Sequence, residues 1–349
     1  MLICTINKAQ IDKHSVFIIN NKNNNNKQRK NMNNFKKIGM TALAASLVST
    51  SVFAGEMAVT GSASINFENY SMDKTAGAKA AGTKAFSMGN QLTFSGSGEL
   101  DNGLTVALSF VLDQNDDSTA AGAAYAGGPF DSHSVSVSSD AFGTLKFHGE
   151  GGDSAQNAAG DTAAGNIWDN FDTKNGTKLK ESRAGDNIMH YTLPSMVDGL
   201  TVAASYTPST GRDEADSAYA LTYAGIEGLS VSYASGSNDG QLAAVEGAAA
   251  QPEKNADVNT IKASYAYGPV TLAYSDHEYD SSTATEDQDA KSFKVSYTVS
   301  DAVSITYAEE EIDSGTAADQ DAKYSKLSTS YTTGGMTVSA NMQEMENGD

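Results

Sequence analysis

Between Gly151 and Asp186 the chain places Asp153, Asp161, Asp169 and Asp172, with Glu150 just before the stretch and Trp168, the only tryptophan, in its middle. Carboxylates spread along a polar loop attract cations. Their counterparts are Lys146, His148, Lys262, Lys294 and Lys326, each on the polar side of an alternating segment, and Arg183 near the loop's end. Acid facing base across a water-filled passage makes a transverse field that orients dipolar solutes, and charged rings set ion selectivity. On that reading Asp161, Asp169 and Asp172 line the narrowest point. The competing reading is a solvated acidic loop on the outside and lysines that only keep a surface wet. "IWDNF" (Ile167–Phe171) is too apolar to rest in water and favours docking on an inner wall.

Other chemistries are weaker. "QNDDST" (Gln114–Thr119), "ATEDQD" (Ala284–Asp289) and "AADQDA" (Ala317–Ala322) offer carboxylates to a divalent cation. None has the EF-hand pattern with its fixed glycine and closing glutamate. Weak divalent binding is expected there, with no dedicated metal site and no cofactor. The histidines past the leader are His133, His148, His190 and His277. No G-x-S-x-G occurs and no local Ser–His–Asp grouping stands out, so an enzyme is expected only if distant residues assemble one.

The elements that must position these groups are hairpins. "DNGLTVALSF" (Asp101–Phe110), "VDGLTVAASY" (Val197–Tyr206) and "IEGLSVSYAS" (Ile226–Ser235) repeat one phrase, and looser copies begin at Phe142, Tyr267, Ser300 and Gly334. After each turn the residues alternate: Leu229, Val231 and Tyr233 oppose Ser230 and Ser232. A period of two is strand signal, and Gly, Asp and Asn suit the turn. Long polar links join one hairpin to the next, so short turns lie at one end and long loops at the other.

That layout is expected of an all-β, antiparallel, up-and-down transmembrane β-barrel. A soluble sandwich would bury the apolar face; a membrane barrel turns it outward. Tyrosines favour the membrane. Tyr206, Tyr233, Tyr274 and Tyr307 follow their turns at similar spacing, while Tyr223, Tyr265, Tyr297 and Tyr331 precede theirs. Two aromatic girdles at the lipid–water boundaries are expected from them. A non-membrane adhesin of β-repeats is the alternative, disfavoured because the loops vary in length and the turns lie on one side only.

Met32–Ala54 reads as a signal peptide, with Lys36 and Lys37 before an apolar run and small residues before a cut after Ala54. Residues 1–31 are expected to be a disordered extension upstream of the true start. The only cysteine, Cys4, lies in this leader. Removing 54 residues leaves 295, with 15 basic and 42 acidic side chains and a net charge of −27. Such a chain repels nucleic acid. Residues 55–349 are the expected barrel, with the loop at about 151–186. Fifteen strands can be counted in it, whereas bacterial barrels have an even number. A sixteenth strand is therefore expected beyond Asp349, and the assembly of this chain without it is an open question.

The opening "MTALAASLVSTSVFAGEMAVTGSASINF", the (D/E)GLTVA hairpins and the long loop after the fifth strand resemble the general diffusion porins of Gram-negative outer membranes, in particular the alphaproteobacterial type. The resemblance implies a sixteen-stranded homotrimer that passes small hydrophilic solutes passively. It implies a third outer loop folded into the lumen as the constriction, its acids facing basic residues on the wall. Lipid and lipopolysaccharide are the implied surroundings, and insertion by the barrel-assembly machinery is implied through a terminal phenylalanine; Asp349 departs from that pattern. The acidic outer loops are then expected to bridge weakly, through divalent cations, to lipopolysaccharide or a neighbour. Met57–Phe67 is expected near a subunit interface.

Overall fold

The computed structural model describes residues 2–7, 57–70, 83–113, 130–174, 177–209, 214–239, 255–283, 286–313, 321–333 and 336–347. The signal-peptide stretch, most of residues 1–31, the 114–119 loop and most of the 317–322 loop lie outside the described residues.

Fifteen consecutive strands form one antiparallel sheet. They are β1 (Met57–Tyr70), β2 (Thr83–Glu99), β3 (Thr105–Asp113), β4 (Ser132–Ser139), β5 (Gly143–Glu150), β6 (Ile188–Thr192), β7 (Leu200–Thr207), β8 (Asp216–Ile226), β9 (Leu229–Ser237), β10 (Ala256–Tyr267), β11 (Val270–Ser281), β12 (Gln288–Ser300), β13 (Val303–Ile312), β14 (Ala322–Thr333) and β15 (Met336–Glu346). Each pairs with its chain neighbour. β5 pairs with β6 across the long loop.

The seam between β1 and β15 is bridged by Leu2–Asn7, antiparallel to both. The disordered extension expected for residues 1–31 holds a strand at Leu2–Asn7. An open sheet edge leaves a row of backbone donors and acceptors unpaired, which lipid does not tolerate, and "LICTIN" is rich in the β-branched residues that suit a strand.

The sheet turns its apolar side outward. Phe293, Val295, Tyr297 and Val299 of β12 are 37–53% exposed, whereas Ser292 on the opposite face is 3% exposed. Buried Ser205, Thr260 and Ser275 continue that inner polar face on β7, β10 and β11. A water-soluble sheet would be built the other way round; this one is built for lipid.

Tight turns at one rim hold the hairpins. Gly199 has φ +74°, and a Cβ there would stand 2.3 Å from the Cα of Gly225, so only glycine fits. The Ala224 N–H donates to Gly199 O at 2.7 Å and closes this hairpin.

The eight girdle tyrosines lie on the outer face, 38–51% exposed. Register sets the two rows closer than two membrane boundaries. Tyr265 pairs with Leu229, four residues before Tyr233, and Tyr331 pairs with Val303, four before Tyr307. Four residues are about 13 Å of strand, roughly half the height of a barrel's apolar band. Charge begins just beyond the first row: the Tyr274 hydroxyl donates to Asp276 at 3.1 Å and that of Tyr307 to Glu309. That row therefore stands at the loop-side edge of the apolar band. The other row lies within the band, since exposed Tyr267, Val299 and Met336 extend beyond it toward the turns.

Candidate functional site

The loop between β5 and β6 does not leave the barrel. It folds along the inner face of β7–β14, and inner-wall side chains satisfy its backbone. A two-residue bridge, Gly152–Asp153 with Ala184–Gly185, ties its ends together. Ser154 caps a short helix, α1 (Ala155–Gly160), accepting from Asn157 N at 2.9 Å, and its hydroxyl also bonds that of Ser182. Ala155 N donates to Ser205 Oγ at 2.8 Å, and Gln156 Nε2 to Thr260 Oγ1 at 2.9 Å. Small wall residues allow this approach: Ala155 packs on Ala218, Ala220 and Ala234. A Cβ at Gly236 would be 2.7 Å from Ala218 Cβ and 3.1 Å from Gln156 Cβ.

Past α1 the loop runs over β11 and β12, where Ala163 N and Ala164 N donate to Ser275 and Ser292 at 2.9 and 3.2 Å. It then meets Glu310 on β13. This buried carboxylate accepts the Thr162 hydroxyl at 2.6 Å and the Ile167 and Trp168 N–H groups at 3.3 Å each. A 3-10 turn, Ile167–Lys174, follows. Its Ile167 and Phe171 are buried with Ile312 and Tyr324, the Phe171 and Tyr324 rings 5.6 Å apart. Burial of each such side chain contributes about 1.5–3 kcal/mol to docking.

The return limb is fastened as closely. Tyr324 OH donates to Thr177 O at 2.8 Å, and Gln288 Nε2 to Lys178 O at 2.9 Å. His277 Nε2 lies 2.7 Å from Lys180 O and His277 Nδ1 lies 2.8 Å from Thr260 Oγ1. A carbonyl can only accept, so Nε2 carries the proton and Nδ1 takes the threonine hydroxyl. His277 is thus a structural clasp.

The outgoing limb presents an exposed acidic edge: Asp153, Asp161 and Asp169 are all exposed. Asp172 sits in the 3-10 turn, its side chain outside the described residues. Glu181, half-buried behind the edge, accepts Asn157 Nδ2 at 3.1 Å. Burial, reinforced by the charge of Asp161, pushes its carboxyl up to about 7. Desolvation and Asp161 also raise Asp153, opposed by His190 and Lys146.

Two expectations about charge change. Glu150 is not on this edge. A bulge between His133 and Ser134 sets two residues of β5 against one of β4, which reverses the alternation. Glu150 Oε2 then lies 3.5 Å from His133 Nδ1, and that histidine stacks on Phe110 of the outer face. The bases, too, are not across from the acids. Lys262, Lys294 and Lys326 are half-buried on the wall that carries the loop. Lys262 Nζ donates to Asp161 O at 2.9 Å, at the end of α1. Lys294 and Lys326 flank Ala308 in one row, one pleat from Glu310 toward the turns. Arg183 pairs with Asp216 at 3.6 Å. Lys146 and His148 lie on β5 beside the loop's root, near His190 and Asp153. Across the lumen, β1–β4 carry no lysine or arginine on the inner face among the described residues; Thr60, Ser62, Gln91, Thr93, Ser95, Ser109 and Ser134 lie on it, with Val111, Glu68 and Asp113.

Glu310, Glu181 and Gln156, which hydrogen-bond the loop, do not stand out in the sequence. In "AEEEI" three consecutive glutamates look equivalent, and only strand phase, which turns Ala308, Glu310 and Ile312 inward, separates the middle one.

A family profile described as Gram-negative porin matches residues 39–349. Comparison with curated protein sequences yields no match. Among solved structures, the anion-selective porin from Comamonas acidovorans is 18% identical with a TM-score of 0.55, over 84% of this chain and 90% of that one. OmpT of Vibrio cholerae, in its trimer form, is 14% identical with a TM-score of 0.55, over 84% and 89%. A triple mutant of Rhodopseudomonas blastica porin is 13% identical with a TM-score of 0.54, over 83% and 100%. At these identities the likeness is one of fold.

Proposed function

The chain belongs to the Gram-negative porin family and is an outer-membrane passive diffusion channel, and from that premise we propose that it passes small hydrophilic solutes with a preference for cations, without cofactor or catalysis. The observation that carries this is the run of exposed carboxylates on the docked loop, with no base among the described residues of the strands across from it. Asp153, Asp161 and Asp169 edge the docked loop. The facing strands offer hydroxyls, amides and the carboxylates of Glu68 and Asp113; Lys262 and Arg183 are engaged in holding the loop, and, of the three acids, Lys146 acts on Asp153. Carboxylates with no facing base favour cations. The Comamonas protein of the same fold is an anion-selective porin, so selectivity is a matter of each chain's lumen residues rather than of the barrel.

The channel works as a homotrimer in this reading. The outer face of β1 and β2 is aliphatic and aromatic, with Met57, Val59, Ile65, Phe86, Met88 and Leu92 exposed, and β2–β5 contain no tyrosine. The two outward tyrosine rows belong to β7–β14, the side left to lipid and lipopolysaccharide. Insertion falls to the barrel-assembly machinery, and the acidic outer loops contribute weak divalent bridging.

Protein purified from the outer membrane and added to a planar bilayer should give stepwise conductance. Under a potassium chloride gradient its zero-current potential should have the sign of potassium permeation. A potential of chloride sign would refute the cation preference and leave the channel standing.

A further inference from the structure

The two walls of the passage differ in what their polar groups are doing. On the loop side, Ser205, Thr260, Ser275 and Ser292 are each spent on loop groups. On the far side the hydroxyls hold no loop among the described residues. Register places Ser95, Ser109 and Ser134 next to one another on three adjacent strands, in one row that ends at His148. A second row begins with Thr60 and Thr93. Val111, paired with Thr93, and Asp113, paired with Gln91, share this face; along the serine row it offers donors and acceptors that can replace a solute's water.

A permeant crossing between these walls meets carboxylates on one flank and a hydroxyl ladder on the other. A simple inorganic cation uses only the first. A neutral sugar uses only the second. A rigid small molecule that carries an ammonium group on one edge and hydroxyls on the other uses both. We infer that the preferred permeants of this channel are polyhydroxylated organic cations of the amino-sugar class, the ammonium following Asp153, Asp161 and Asp169 while the hydroxyls exchange hydrogen bonds with Ser95, Ser109 and Ser134. This inference rests on the cation preference proposed above.

The hydroxyl contribution is separable from the charge. Ala107 already stands on the same inner face, between Ser97 and Ser136, so alanine suits this wall. A Ser95/Ser109/Ser134→Ala variant removes the ladder and leaves every carboxylate in place.

The test uses the full chain in liposomes, at a mildly acid pH that keeps glucosamine protonated. Uptake of glucosamine is compared with that of glucose and of tetraethylammonium, a cation without hydroxyls. Glucosamine should outrun both, the advantage over tetraethylammonium being about fivefold, as one net hydrogen bond implies. The triple serine variant should bring that ratio to near unity. Equal uptake of glucosamine and tetraethylammonium by the wild-type channel, with potassium selectivity intact, would overturn the inference and spare the cation preference. Glucosamine no faster than glucose, with a chloride-signed potential, would instead overturn the cation preference itself. The wild-type comparison decides the matter even if the serine variant does not insert.

Discussion

The Thr162 hydroxyl donates to the carboxylate of Glu310 at 2.6 Å, joining positions 148 residues apart in the chain. Through this bond and two backbone N–H groups, one wall glutamate holds the turn at which the loop passes from α1 to its apolar anchor. Hydrogen bonds to a charged group are worth about 1.5–3 kcal/mol each, and a buried carboxylate that lost its donors would be costly. The acidic edge is therefore placed by a residue that does not itself face the permeant.

Glu310→Ala should loosen the loop without unfolding the barrel. Single-channel records should show added noise and brief transitions to a larger conductance, and a protease site engineered at Gly165 should become accessible. Quiet records at the wild-type conductance would show that Ile167 and Phe171 suffice as anchors.

Glu181 should make the channel sensitive to pH. Burial and Asp161 hold its carboxyl neutral up to about 7, against an ordinary value of 4.5. Docking of the return limb thus gains most from Glu181 below the ordinary value and loses that gain as the pH rises through about 7. Selectivity moves the other way. Between about pH 6 and pH 8 an added carboxylate charge should raise potassium-over-chloride permeability, and Glu181→Gln should flatten the profile. A step that survives the substitution would assign the titration to another group.

Glu150→Gln should leave selectivity unchanged, because the bulge beside His133 has turned Glu150 outward. Zero-current potentials of wild type and variant should coincide. A loss as large as that caused by Asp161→Asn would place Glu150 in the passage after all.

Gly199→Val should damage one hairpin. Its φ of +74° and the 2.3 Å approach to Gly225 leave no room for a side chain. The conformational strain alone is about 1–3 kcal/mol. The heat needed to shift the protein from its folded to its unfolded mobility on a gel should fall; no change would mean that the turn relaxes.

Much of the fold was legible because a period of two survives in nearly every strand. Leu229, Val231 and Tyr233 declare their face without help, and glycines such as Gly199 and Gly228 mark the turns. The site was harder to read. Alternation says which face Lys262 takes, but not that the loop comes to lie on the same wall. That depends on circular strand order and on Asp161 O reaching the lysine. Alternation also fails at a bulge, which is why Glu150 reads as a lumen residue in the sequence and is not one. The tyrosine rows were visible as spacings from their turns, yet their four-residue separation needed the register between Tyr265 and Leu229.

The central claim is that the docked acidic edge sets the sign of selectivity. The most direct measurement is the zero-current potential across a planar bilayer under a potassium chloride gradient, for the wild-type channel and for Asp153/Asp161/Asp169→Asn. The wild type should give a cation-signed potential, and the variant should move it most of the way to zero with stepwise conductance retained. A cation-signed potential unchanged in the variant would contradict the claim, leaving a porin whose selectivity is set elsewhere.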